Sequence, residues 1–242
     1  MVQQYHLYTE QDHRTWKLLF DRQASNLQDK ASTDYLLWLQ ELAPALQADR
    51  IASFRQLNQR LWSGTGWSIE VVPGLIPVGD FFSLLARRRF CSSTWVRKPE
   101  QIDYLEEPDM FHDIFGHVPL LMNPTYADFM QKFGEIGMKY ADDPNCERQL
   151  ERLYWYTVEF GLIMERGQQR IFGAGIASSF GESNHIFDDD ITIHPFNIDQ
   201  VLQTEFRTDI MQTEYFAIPS YASLFRSLDG VEEHLKQMTL AV

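Results

Sequence analysis

Two histidines set the chemistry open to this sequence. His112 and His117 stand five residues apart in the stretch EPDMFHDIFGHVP (107–119), among the carboxylates of Glu107, Asp109 and Asp113. Pro108 suits the first position of a helix, where a missing N–H costs nothing, and Gly116 and Pro119 are expected to end that helix. On an ideal helix five residues are about 140° of rotation, which points the two imidazoles apart. Gly116 is expected to let the chain leave the helix and swing His117 back toward His112. Two imidazoles converging on a point read as a metal site that lacks its carboxylate. The plainer reading is two unrelated helix histidines.

A third ligand has a candidate in LERLYWYTVEFGLIME (150–165), which predicts a mostly apolar helix. Glu159 has Trp155, Tyr156, Leu162 and Ile163 at i±3 and i±4, on its own face. A carboxylate amid such neighbours is expected to be buried, and a buried charge is paired or bound to a metal. An arginine partner would serve equally. Two histidines and one carboxylate form the facial triad of non-haem Fe(II) oxygenases, with open positions for oxygen and substrate. The same set can hold catalytic zinc, and spacing does not choose between the metals.

The elements that must position these residues are helical. Positions 10–30 carry Trp16, Leu19 and Phe20 on one stripe behind Thr9, a candidate N-cap. Further amphipathic helices are predicted over 34–46, 51–62, 78–87, 126–140 and 220–240. Residues 63–67 read as a turn, 67–72 and 90–97 as short strands, and Phe206, Ile210 and 215–218 as strand segments. RIFGAGIASSFGE (170–182) does not fit GxGxxG, and no parallel βαβ pattern surrounds it, which argues against a dinucleotide fold. Arg87, Arg88 and Arg89 are the sole basic run and are expected to pair with acidic neighbours. His185 and His194, near Asp188, Asp189 and Asp190, offer at most a second metal site, and a solvated loop is the expected reading.

Composition narrows the class. A length of 242 residues with 44% hydrophobic content suits one domain with a sizeable core. A formal charge of −13 argues against nucleic acid as a partner. Two cysteines, Cys91 and Cys146, make neither a disulfide framework nor a zinc motif. The first residues lack a signal-peptide pattern, and no apolar run approaches the roughly 20 residues of a membrane span. A cytoplasmic protein is expected.

The run EPDxxHDxxGHVPLL, then YWYTVEFGL, then FGAGIASSFGE strongly resembles the tetrahydropterin-dependent aromatic amino acid hydroxylases, over roughly residues 71–224. Within that family the likeness is greatest to the short bacterial phenylalanine-hydroxylating members. The resemblance implies a mainly α fold: a single catalytic domain of packed helices with a few short β-strands, forming an open basket around a non-haem iron. It implies one domain over 1–242, with a helical scaffold (1–65), an iron, pterin and substrate core (66–224) and a helical tail (225–242). No regulatory or tetramerisation domain is expected, and a monomer is.

By the same resemblance His112, His117 and Glu159 hold Fe(II). Ile76, Phe81, Asp113 and Tyr154 border a tetrahydropterin (tetrahydrobiopterin or a relative). Arg97, held by Asp109, takes the substrate carboxylate in a two-pronged grip. Tyr104, Trp155, Gly175 and Ser178 line the substrate pocket. Ser178 also supports His112 through its hydroxyl, and Glu182 is a further carboxylate that could support the ligands. The implied reaction is hydroxylation of L-phenylalanine to L-tyrosine with O2 as co-substrate. Tryptophan hydroxylation by the same ligands stays open, as do a zinc hydrolase and a non-enzymatic metal- or pterin-binding module. Trp155 favours phenylalanine, because tryptophan hydroxylases tend to carry Phe there.

Overall fold

Thr9 starts the first helix. Its hydroxyl accepts from the Asp12 N–H while the Asp12 carboxylate accepts from the Thr9 N–H, a reciprocal capping box. Helix α1 (Glu10–Asn26) then buries Trp16 and Leu19. It stops short of the expected residue 30. The chain turns out there to pair with a later strand, where the Ile171 N–H donates to the Lys30 carbonyl and the Ser32 N–H to the Ile171 carbonyl. Ser32 caps α2 (Thr33–Glu41). Helix α3 (Phe54–Thr65) runs through the turn expected at 63–67 and ends at Gly66, whose φ of 75° is a left-handed conformation that glycine takes without strain.

Strand β1 (Ser68–Val71), helix α4 (Val78–Ala86) and strand β2 (Arg89–Ser92) follow, with β1 and β2 pairing in parallel. Helices α5 (Pro124–Tyr140) and α6 (Pro144–Tyr154) come next, each with Pro in its first turn and a capping Asn123 or Asp143 before it. Then come β3 (Gly161–Glu165), β4 (Gln168–Ile171), α7 (Ala174–Ser178), α8 (Phe180–His185), β5 (Thr192–Pro195), α9 (Ile198–Gln203), β6 (Glu214–Ile218) and α10 (Tyr221–Leu240). This is a computed structural model that describes residues 1–103, 105 and 107–240. It is 57% helix and 12% strand, which makes the fold mainly α.

The second sheet has the order β4-β3-β6-β5. Strands β3 and β4 form a hairpin whose two-residue turn, Arg166 and Gly167, has both φ values positive, matching the twist of the strands. Strand β6 pairs in parallel with both β3 and β5. A parallel crossover therefore does enclose 170–182, and the sequence reading is corrected here. Strand pairing across about fifty residues leaves no local periodicity to read. Phe206 and Ile210 lie outside any strand.

Two further corrections bear on the chemistry. The 107–119 stretch starts its helix at Met110, with Asp109 rather than Pro108 at the boundary, and Asp109 caps it by accepting from the His112 N–H at 3.0 Å. Gly116 does not end it. Residues His112–His117 form a π-helical turn. Likewise the predicted helix 150–165 is α-helical only to Tyr154, continues as a π-helical turn over Trp155–Glu159, and gives way to β3. Leu162 and Ile163 therefore share a sheet with β4 and β6, not a helix face with Glu159.

The core that fixes the first π-turn is aromatic. Phe111 and Phe115 stack at 4.8 Å, Phe111 meets Trp16 of α1 edge-on at 5.6 Å, and Tyr35 of α2 donates to the Phe115 carbonyl at 2.6 Å. Gly116 packs directly on α7, where a Cβ would come within 3.0 Å of the Ala174 side chain. The N-terminal helices thus act as the frame against which the histidines are set.

Candidate metal centre and its cleft

A π-helix bonds residue i to i+5, so side chains five apart lie nearly one above the other. That geometry, not a break at Gly116, turns His117 to the side of His112. Their Nε2 atoms are 3.2 Å apart. The second π-turn, closed by the Phe160 N–H donating to the Trp155 carbonyl at 2.8 Å, aims Glu159 at the same point. Glu159 Oε1 lies 3.1 Å from His117 Nε2, and Oε2 lies 3.5 Å from His112 Nε2. Among the described residues this is the one cluster of three or more His, Cys, Asp or Glu side chains fit to hold a metal ion. His185 instead pairs with Asp188 at 2.8 Å.

The donor set fits a divalent metal. Ligands about 2.1 Å from an ion stand about 3.0 Å apart at right angles and about 3.4 Å apart at tetrahedral angles; two of the observed edges, 3.1 and 3.2 Å, fall in that range and the third, 3.5 Å, lies just above it. The hydrogen bonds agree. Ser178 Oγ lies 2.8 Å from the Ala174 carbonyl and 2.9 Å from His112 Nδ1. A carbonyl only accepts, so the hydroxyl donates its one hydrogen there and must accept from His112 Nδ1–H. That tautomer leaves the His112 Nε2 lone pair bare and aimed at the cluster. His117 packs its ring on Phe90 at 4.7 Å. Burial pushes the Glu159 carboxyl up, but His117 and His112 together pull it below its ordinary range, so it stays ionised.

His112 and Glu159 line a cleft of about 690 Å³ with more apolar than polar lining, and His117 is buried beside them. This volume suits a small-molecule site. Phe81 of α4 stands edge-on to Tyr154 at 5.3 Å, and both line the cleft together with Leu75 and Val78. Ile76 is half-buried in the same loop, whose Leu75 faces the cleft. Arg97, Trp155, Gly175, Ser178 and Glu182 also line the cleft.

Arg97, 8% exposed, and Asp109, fully buried, make a two-pronged pair. Asp109 Oδ2 accepts from Arg97 N–H and Nε, and Oδ1 from Arg97 Nη2, each at 2.9 Å. Asp109 thus occupies the Nε–Nη2 edge of the guanidinium, Nη1 donates to the Ile102 carbonyl at 3.3 Å, and Arg97 lines the cleft.

Two expected residues take partners other than the expected ones. Asp113 turns from the cleft to β2 and the segment after it, where its carboxylate accepts from the Ser93 N–H at 3.0 Å, and burial pushes it up to about 7 against the pull of His112. Glu182 reaches no ligand; it accepts from Tyr215 Oη at 2.7 Å and the Gln212 N–H at 3.2 Å. Tyr104 lies outside the described residues. Sequence reasoning missed Phe206, stacked on Trp155 at 4.4 Å and 16°, Thr208 in the cleft wall, and Gln212. All three sit on an irregular segment after α9, where no periodicity could reveal them.

A mainly α fold that brings two imidazoles and a carboxylate together at an aromatic cleft is the class of protein that holds a non-haem metal by one face. A family model described as biopterin-dependent aromatic amino acid hydroxylase matches residues 4–240. The chain belongs to that family. A phenylalanine-4-hydroxylase of Ralstonia nicotianae is 47% identical over 229 residues, covering 93% of this chain and 71% of the relative. One from Chromobacterium violaceum is 46% identical over 222 residues, covering 90% and 73%. A crystal structure of the C. violaceum enzyme with bound iron(III) and oxidised cofactor 7,8-dihydrobiopterin superimposes with a TM-score of 0.92 at 43% identity, over 98% of this chain and 86% of that one.

Proposed function

We propose that this protein hydroxylates L-phenylalanine to L-tyrosine, with O2 and a tetrahydropterin as co-substrates, at Fe(II) held by His112, His117 and Glu159. One oxygen atom enters the ring, and the other is reduced to the level of water by two electrons from the pterin. The observation that carries this reading is the three-ligand cluster at a cleft lined by aromatic side chains and by an arginine anchored on a buried carboxylate.

Oxygen activation is the chemistry that iron and pterin supply when bound. The chain's part is placement. Phe81 and Tyr154 offer flat faces on which a pterin can lie. Arg97 takes the amino acid carboxylate through the Nη N–H groups that Asp109 and the Ile102 carbonyl leave over, while Asp109 keeps the guanidinium from rotating. Trp155 bounds the ring pocket, and Ser178 keeps His112 in the tautomer that can ligate. The cleft presents no residue that must act as acid or base on the ring. A net charge of −13 opposes self-association, in keeping with a monomer. The unbridged Cys91 and Cys146 suit a reducing cytoplasm.

The test is anaerobic loading with Fe(II), then addition of O2, a tetrahydropterin and phenylalanine, with tyrosine read by mass spectrometry. Tyrosine that needs all four components is expected, with Glu159→Ala folded but inactive. Product from tryptophan and none from phenylalanine would overturn the substrate; wild-type turnover in Glu159→Ala would overturn the site.

A further inference from the structure

The segment 204–213 has neither helix nor strand, yet it supplies Phe206 and Thr208 to the cleft. Gln212, 5% exposed, holds it together. Its Nε2 donates to the Arg207 carbonyl at 2.8 Å and the Ile210 carbonyl at 3.0 Å, closing the segment on itself. Its Oε1 accepts from Trp155 Nε1 at 3.1 Å. Its backbone N–H donates to Glu182, whose other oxygen accepts from Tyr215 Oη. A chain of hydrogen bonds thus runs from β6 through α8 and the segment to the cleft wall.

The amide can face only one way. Rotating it by 180° would set its NH2 against the indole N–H and its oxygen against two carbonyls. The indole needs this contact. Phe206 on one side and Phe160, at 4.5 Å, on another restrict tilt, but stacking has no preferred rotation within the ring plane. The indole N–H is the ring's one polar atom, and its bond to Gln212 sets that rotation.

We infer that Gln212 is the positioning residue that fixes the Trp155 indole, and with it the wall that selects the substrate ring. It touches no substrate itself and acts through Trp155 and the segment carrying Phe206. This rests on the ring-hydroxylase reading above for its kinetic consequence, but not for its structural one. A loosened wall admits the larger indole of tryptophan as well as phenylalanine.

The test uses Gln212→Met, which keeps length and volume, alongside Trp155→Phe and the double variant. In the Fe(II) enzyme Gln212→Met is expected to lower kcat/KM for phenylalanine about three- to tenfold, the worth of one or two neutral hydrogen bonds, through KM. The preference for phenylalanine over tryptophan falls by a similar factor while KM for the pterin stays put. The double variant is expected to be no worse than the worse single, because both act through one contact. The second readout needs no turnover. In Zn(II)-loaded protein the indole N–H resonance absent from Trp155→Phe is expected to shift and exchange faster with water in Gln212→Met. Losses that multiply in the double variant, an unchanged ring preference, or an unmoved indole resonance would each overturn the role. Wild-type protein that hydroxylates neither ring would sink the functional reading, and the resonance would then decide the inference alone.

Discussion

Asp109→Asn is the sharpest perturbation that the site offers. Four N–H donors converge on two oxygens: Arg97 N and Nε on Oδ2, Arg97 Nη2 and His112 N on Oδ1. Asparagine has one acceptor oxygen, so whichever way it turns, an NH2 group faces two donors. Each orphaned buried donor costs about 1–3 kcal/mol, and Arg97 loses its counter-charge while buried. Removing one partner of such a pair destabilises by about 3–5 kcal/mol. At about 2–4 °C per kcal/mol for a domain of this size, the melting temperature falls by about 6–20 °C. Calorimetry of the metal-loaded protein reads this directly. The partner test is Arg97→Met with Asp109→Leu, which removes both charges but still orphans the backbone N–H groups of positions 97 and 112, and is expected to recover only the part of the loss that comes from the unpaired charge. KM for phenylalanine rises in both variants, because both disturb the arginine. A loss under about 1 kcal/mol in Asp109→Asn would mean that the pair is water-exposed in solution, and would refute the reasoning.

Three other variants probe separate links. Ser178→Ala removes the acceptor that fixes the His112 tautomer and is expected to weaken Fe(II) binding about 10- to 100-fold, by chelator competition, with little change in melting temperature of the metal-free protein. Gly116→Ala puts a Cβ about 3.0 Å from Ala174, so α7 must shift; about 1–3 kcal/mol of stability is lost with weaker metal binding, and an unchanged Kd for Fe(II) would show that α7 gives way freely. Glu182→Gln addresses pH. Burial raises the Glu182 carboxyl above its ordinary value, against Tyr215 and Gln212, so its favourable protonated form is lost as pH rises through the folded value. Denaturation midpoints across pH 4 to 8 are therefore expected to move in favour of the variant as pH increases; a parallel pair of curves would contradict the shift.

Much of the site was legible because it rests on residue type. Histidines and a carboxylate amid aromatics announce themselves in one dimension, and the order of the three motifs points to the family, whose resemblance in turn implies the Arg97–Asp109 pair. The helix boundaries were less so. Lys30 and Ala31 abandon α1 for a strand more than a hundred residues away, and the α3 pattern passes through a Gly-Thr-Gly that reads as a turn. Local propensity is overruled in both places by contacts that local sequence does not contain.

The sequence by itself determined the donors, their order along the chain and an apolar setting for Glu159, because these follow from composition and neighbours. Only the tertiary structure decided how the donors meet. The histidine spacing suits neither an α-helix nor a simple break; it suits a π-turn, a costly backbone state that persists because Phe111, Phe115 and Gly116 are locked against α1, α2 and α7. The same holds for Gln212, an unremarkable glutamine in an irregular stretch until the fold sets Trp155 against its oxygen. Side-chain identity travels with the chain, but the partner that gives it a role arrives from elsewhere in space.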